Sequence, residues 1–133
     1  MKTYSSAFSL IELMVVVAII AIIAAVAVPS YRGYISETYR AQAVADLKRC
    51  ALALERFYSN GFTYVGGGGQ CKLWSPSDGA FAQRQYTLSL QVLTQNNYTI
   101  DATPLSGTCP ANDPCFRLQE DGTQSTRGDP PAP

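Results

Sequence analysis

The chain has 133 residues, with 10 Lys and Arg against 10 Asp and Glu, no net charge and no histidine. This length holds one modest domain whose core needs reinforcement, and zero net charge excludes the one-sided positive field on which sequence-independent coating of nucleic acid rests. Without histidine, the usual general base, the serine and cysteine triads and the commonest metal ligand are missing, so neither an enzyme nor a cofactor is expected.

From Leu13 to Tyr31 nineteen consecutive residues carry no charge, and Leu13 to Val28 is wholly apolar. A helix of this length roughly matches a hydrocarbon core of ~30 Å, and we read it as a membrane helix. The competing reading is a signal peptide, with Lys2 as its basic start and Ala25-Val26-Ala27 as a cleavage site that would release a secreted binding module. Glu12 argues against it, because it sets an acid at the mouth of the apolar run. Such an acid costs about 2.5–3.5 kcal/mol at a helix centre and less near the interface. The nearest basic residue before it is Lys2, ten positions back, so its partner must come from another chain or from a newly made terminus. Pro29 lacks an N–H and is expected to kink or break the helix.

After Pro29 the positions Ile35, Tyr39, Ala43, Leu47, Cys50, Leu54 and Phe57 recur at steps of three and four. Glu37, Arg40, Asp46, Lys48, Glu55 and Arg56 lie mostly elsewhere on the cylinder. This is an amphipathic helix, ending near Asn60-Gly61 where glycine can adopt the left-handed closing conformation. Residues 62–84 read as a long irregular connection with a flexible run from Gly66 to Gly69. No Gly-Lys-Ser/Thr follows those glycines, which argues against a phosphate cradle. Tyr86, Leu88, Leu90 and Val92 alternate with polar residues, and Asn96-Asn97 separates them from Tyr98, Ile100 and Ala102, so two antiparallel strands are expected. A third candidate runs through Phe116 and Leu118 to Asp121-Gly122, followed by Thr123 to Thr126. The expectation is an antiparallel sheet of three or four strands on the helix. The ending, Arg127 to Pro133, is expected to be a tail unable to pair in a sheet.

Four cysteines, Cys50, Cys71, Cys109 and Cys115, allow three pairings, and their even number outside the apolar run favours disulfides. With no C-x-x-C knuckle and no histidine, zinc is disfavoured and no metal site is expected. Cys50 with Cys71 and Cys109 with Cys115 is the preferred pairing, because the first would fasten the irregular connection to the helix, while the others stay open. Arg127-Gly128-Asp129 spells an integrin tripeptide and Asn97-Tyr98-Thr99 a glycosylation sequon. Chance explains the first and a hairpin asparagine the second. Lys72, Trp74, Arg84 and Arg117 are basic and aromatic residues of a kind that binds single-stranded DNA. The favoured reading is a solvated surface around a packed Trp, and nucleic acid has no other support in the sequence.

The segment Ala7-Phe8-Ser9-Leu10-Ile11-Glu12-Leu13, the apolar run after it and Pro29-Ser30-Tyr31 resemble the N-terminus of type IV pilins, whose pattern is G, then F-T-L-I-E-L-M, then a greasy helix ending in A-I-P-x-Y. The resemblance implies an α+β fold, one long N-terminal helix packed on a small antiparallel sheet. It implies a cut by an aspartic prepilin peptidase between Ala7 and Phe8 and methylation of the new Phe8 amine. Glu12 then pairs with the amino terminus of a neighbouring subunit as the helix leaves the membrane for the filament. The charges agree, since the cut removes Lys2 and places a cation four residues before the acid. Two residues depart from the pattern. Ala7 replaces the glycine before the cut, and Ala21 replaces a mid-helix glycine with a helix former better by about 1 kcal/mol, which leaves Pro29 as the main point for local melting on assembly.

Gln85 to Leu90, Asn97 to Pro104 and Cys115 to Ser125 resemble the head of minor, PilE-like pilins, though such heads often finish with a cysteine and a tryptophan that this chain lacks. The implied organisation is a leader at 1–7, a transmembrane and assembly helix at 8–31, an amphipathic half-helix at 32–60, a loop and sheet head at 61–126 and a tail at 127–133. The implied protein is a structural subunit, a minor pilin, of a type IV pilus that serves twitching motility, adhesion or DNA uptake. Its partners would be other pilin subunits, major and minor, the prepilin peptidase, the inner-membrane assembly platform and, before assembly, inner-membrane lipid. It would sit in the bacterial inner membrane with its head in the periplasm, then in a cell-surface pilus. A pseudopilin of a type II secretion system has the same N-terminus and is the alternative, although the calcium-site loop of the major secretion pseudopilin is not apparent.

Overall fold

The computed structural model describes residues 9–110 and 113–127. The leader 1–7, Phe8 and the tail from Gly128 lie outside the described residues. One helix, α1 (Leu10–Gly61), is followed by five strands, β1 (Trp74–Ser75), β2 (Tyr86–Leu93), β3 (Tyr98–Pro104), β4 (Cys115–Gln119) and β5 (Gln124–Arg127). The chain divides into two units, one up to Ile35 and one from Ser36 onward.

In the first unit α1 opens on a cap. Ser9 accepts the Glu12 N–H on its hydroxyl at 3.2 Å, and its carbonyl accepts the Leu13 N–H. Ser9 is thus the N-cap and Glu12 the third helical residue, where an acid also meets the positive end of the helix dipole. The apolar segment is long and apolar enough to cross a membrane, and none of it is buried within the chain. Of the kink or break expected at Pro29, the break does not occur, since α1 runs through it without interruption. Proline removes one i to i−4 bond, and the helix continues on both sides of that gap. Beside it, the Ser30 hydroxyl donates to the Val26 carbonyl at 3.1 Å.

In the second unit α1 lies against one face of a fully antiparallel sheet in the order β1-β2-β3-β4-β5. Ala43, Leu47, Cys50, Ala51 and Leu54 of α1 pack on Tyr86 and Leu88 of β2, Tyr98, Ile100 and Ala102 of β3, and Phe116 and Leu118 of β4. The helical residues fall at steps of three and four and the strand residues at steps of two, so one stripe meets one face. Burying each large aliphatic side chain stabilises by about 1.5–3 kcal/mol. Between Leu90 and Val92 the register with β3 shifts, so Leu93 as well as Leu90 packs against the core. An extra residue in one strand has this effect, because it reverses the alternation beyond it.

Several expectations need correction. The sheet has five strands. The connection at 62–84 is not wholly irregular, since it contains β1 and two 3-10 turns, Gly67–Gln70 and Phe81–Gln83. The glycine run is packed at its centre: Gly67 is buried, and a Cβ there would lie 3.0 Å from Leu54 Cδ2 and 3.1 Å from Phe57 Cδ1. The residue with left-handed backbone after the helix is Phe62 (φ 53°), not Gly61, and its N–H donates to the Tyr58 carbonyl at 2.7 Å. Arg127 does not begin a tail, for it pairs with Cys115 as the last residue of β5. Asp46 is buried, although the helical pattern set it away from the core.

The segment after α1 is held at both ends. The Tyr64 hydroxyl donates to Glu55 at 2.9 Å, and its ring stacks on Tyr58 and meets Tyr98 edge-on. Burial first, then the Glu55 carboxylate, pushes the Tyr64 hydroxyl up to about 12. Disulfides join Cys50 to Cys71 and Cys109 to Cys115. The first ties the connection to α1 and the second closes the loop before β4.

Candidate functional site

Of the residues singled out for assembly, Glu12 and Pro29 are described, whereas Ala7 and Phe8 lie outside the described residues. Glu12 is exposed on the first turn of α1 and pairs with no Lys or Arg among the described residues. The cap from Ser9 gives Glu12 a local role in starting the helix. It leaves the carboxylate open to a cation from elsewhere.

The second site lies at the β1 edge of the sheet. β1 pairs with the start of β2, Trp74 opposite Thr87 and Ser75 opposite Tyr86, and the chain then turns through Ser77 and Gly79 to the 3-10 turn Phe81–Gln83. The Trp74 indole N–H points at the Gly79 carbonyl at 3.4 Å, and its ring meets Phe81 edge to face with centroids 5.6 Å apart. Each ring has a cation. Lys72 Nζ lies 5.7 Å from the Trp74 centroid, and the Arg84 guanidinium lies 3.9 Å from that of Phe81. Side chains three apart eclipse in a 3-10 turn, which is why Arg84 lies over Phe81, and an Arg Nη1 bond to the Phe81 carbonyl at 3.0 Å fixes it there. Attraction of a cation to a ring face contributes about 0.5–1 kcal/mol at exposed sites. Neither Lys72 nor Arg84 pairs with a carboxylate among the described residues.

The edge is anchored to α1 through Asp46. This carboxylate, 3 % exposed, accepts the Ser77 N–H at 3.0 Å, the Ser77 hydroxyl at 2.6 Å and Arg49 Nη1 at 2.8 Å. Arg49 Nη1 also donates to the Ser77 hydroxyl oxygen at 3.0 Å, and Lys72 Nζ to the Ser77 carbonyl at 2.9 Å. Thus α1 contributes the anchor and Arg49, the disulfide fixes Cys71 beside Lys72, and β1 presents Trp74.

The structure brings Lys72, Trp74 and Arg84 together and separates Arg117 from them. Arg117 is in β4 and forms a two-pronged pair with Asp101 of β3, Nε to Oδ1 and Nη2 to Oδ2, both 2.7 Å. That bonding holds its guanidinium above the ordinary arginine range. Sequence reasoning missed Phe81, Arg49 and Asp46. The Phe-x-x-Arg spacing was a readable signal for the first. Asp46 and Arg49 are recognisable only once the loop has folded back onto α1.

A family model described as type IV minor pilin ComP, DNA uptake sequence receptor, matches residues 29–119, more than half of the chain. One described as the prokaryotic N-terminal methylation motif matches residues 2–28. Among solved structures, the selenomethionine crystal structure of the Neisseria meningitidis non-core minor pilin PilV, in an orthorhombic form, is similar with a TM-score of 0.50 and 16 % identity, over 75 % of this chain and 94 % of that one. That likeness concerns the fold. None of the curated proteins matches the chain.

Proposed function

This chain belongs to the type IV minor pilin family described as ComP, DNA uptake sequence receptor, and from that premise we propose that it is a pilus subunit whose head contacts DNA at the β1 edge. The observation that carries the DNA reading is the pair of rings, Trp74 and Phe81, with a cation against each that pairs with no carboxylate among the described residues. Cations meet phosphates and aromatic faces meet sugars or exposed bases. Zero net charge over the whole chain is compatible with this, because a contact of this kind needs only a local cluster of cations, and Lys72 and Arg84 supply one.

The full processed chain in detergent is expected to bind a short duplex at low salt, with Arg84→Gln lowering the salt slope by about 1 and Trp74→Ala weakening binding. No binding by the parent, or variants equal to it, would overturn the reading.

The helix carries the subunit. Prepilin peptidase removes residues 1–7, the Phe8 amine is methylated, and Glu12 meets the new amino terminus of a neighbouring pilin at the assembly platform. Before assembly the head stands in the periplasm and α1 anchors the chain in the inner membrane. The methylation-motif match and the exposed apolar start of α1 support this sequence of events. N-terminal sequencing that begins at methylated Phe8 is the expected result, and a start at Met1 or beyond the apolar run would refute it. Glu12→Ala is expected to insert into membrane as well as the parent and to be scarcer in sheared pili.

A further inference from the structure

Resting on the DNA reading above, we propose that the cleft between α1 and the turn after β1 seats one phosphodiester of the DNA backbone, gripped jointly by Arg49 and Lys72. The cleft is about 240 Å³ in volume, and the Cys50–Cys71 disulfide, Arg49, Lys72, Asp46 and Ser77 line it. That is several times the ~30 Å³ share of a water in the liquid, so a phosphate group fits with part of its hydration.

The cations converge on this cleft because both bond to Ser77, Arg49 to its hydroxyl and Lys72 to its carbonyl. Each keeps donors in reserve. A guanidinium has five N–H groups and an ammonium three. Among the described residues the bonds of Arg49 to protein leave from Nη1, so Nε and Nη2 remain, and its side chain is 66 % exposed. Lys72 directs one bond to Ser77, which leaves two. Asp46 does not compete for them, because it is buried and already accepts three bonds. Two cations and one anion leave the cleft one positive charge, which matches the single negative charge of a phosphodiester. Lys72 also stands over Trp74. A phosphate held here would therefore fix the strand beside the aromatic pair, in the way that phosphate contacts set register while other contacts read bases.

The test measures binding of a short labelled duplex of random sequence to the full processed chain in detergent, over a salt series. Phosphate contacts are independent of sequence, so a random duplex is a sufficient probe. Arg49→Gln and Lys72→Gln should each weaken low-salt binding about threefold. The double variant should lower the salt slope by about 0.9 in total, the value for one phosphate. A total fall of about 1.8 would mean two separate phosphates and would overturn the shared seat, as would no fall. Lys72→Gln changes an exposed side chain and guards against a folding defect in Arg49→Gln, with far-ultraviolet circular dichroism as the check on both.

If the parent does not bind duplex, the DNA reading itself fails. If the parent binds and Arg84→Gln weakens it while both cleft variants match the parent, only the cleft assignment fails. Phosphatidylglycerol carries the same phosphodiester. If a short-chain form displaces duplex from the parent and no longer binds the double variant, the cleft belongs to a lipid headgroup and the assignment to DNA is overturned.

Discussion

Asp46→Ala should loosen the β1 edge without touching the residues that present it. The carboxylate is 3 % exposed and accepts three hydrogen bonds, two from Ser77 and one from Arg49. These are not equal. Arg49 is mostly exposed and regains water, so its ion pair contributes no more than ~1 kcal/mol, and the Ser77 hydroxyl can rotate to another acceptor. The Ser77 N–H cannot turn away, and a bond to a charged group contributes about 1.5–3 kcal/mol. Together the loss comes to about 3 kcal/mol. Trp74, the only tryptophan in the chain, is three residues from Ser77, so its fluorescence reports on this segment. With an m-value of about 1–3 kcal/mol per molar urea, the unfolding midpoint followed by Trp74 should fall by about 1–3 M. Glu37→Ala, which breaks the exposed pair with Arg40, should lower stability by less than ~1 kcal/mol and move the midpoint correspondingly less. If Asp46→Ala moves the midpoint no further than Glu37→Ala, the carboxylate is not the anchor and the reasoning is wrong.

Removing Cys50–Cys71, with a sequence separation of 21, should destabilise the head by about 3 kcal/mol, whereas losing Cys109–Cys115, with a separation of 6, should cost about 2 kcal/mol in the chain-entropy treatment; urea unfolding of the two paired Cys→Ala variants would expose the reverse order. Gly67→Ala, whose Cβ would meet Leu54 and Phe57, should lower stability by about 1–3 kcal/mol. Gly69→Ala, with nothing within 4 Å, should raise it by about 0.4–1 kcal/mol, and thermal melts that rank the two the other way would contradict this packing. Tyr64, raised from 10.0 to about 12 in the folded chain, contributes stability that is complete below the unfolded value and is lost as pH rises from 10 toward 12. An alkaline circular-dichroism titration should therefore show the head weakening in that window, and Tyr64→Phe should blunt the effect.

The elements legible in the sequence are those whose signal is periodic and whose partner is a whole face. The apolar run, although without a period, required no neighbour to be read as a helix. The alternation in Tyr86–Leu90 and Tyr98–Ala102 announced β2 and β3, because every second side chain lies on the buried face. β1 has two residues and therefore no period, and only pairing with β2 defines it. Pro29 was read through its local penalty alone, and one missing bond did not outweigh the helix on either side. Arg117 was grouped with Lys72 and Trp74 by residue type, but its cross-strand neighbour is Asp101, and a charge so placed pairs locally before it faces a ligand.

The β1 edge was the least legible part because two ties of long sequence separation build it, Cys50 to Cys71 over 21 residues and Asp46 to Ser77 over 31. On a helical wheel Asp46 lies at the rim of the apolar stripe, three residues after Ala43 and four before Cys50. The connection, tied to α1 at Cys71, covers it there and lays the Ser77 N–H on its carboxylate. That bond sets Arg49 beside Ser77, and Ser77 in turn draws in Lys72. A loop held by one tie could swing its rings and cations independently. Held by two, it presents them as a fixed group, and the ordering entropy that DNA binding would otherwise have to overcome is met during folding of the head.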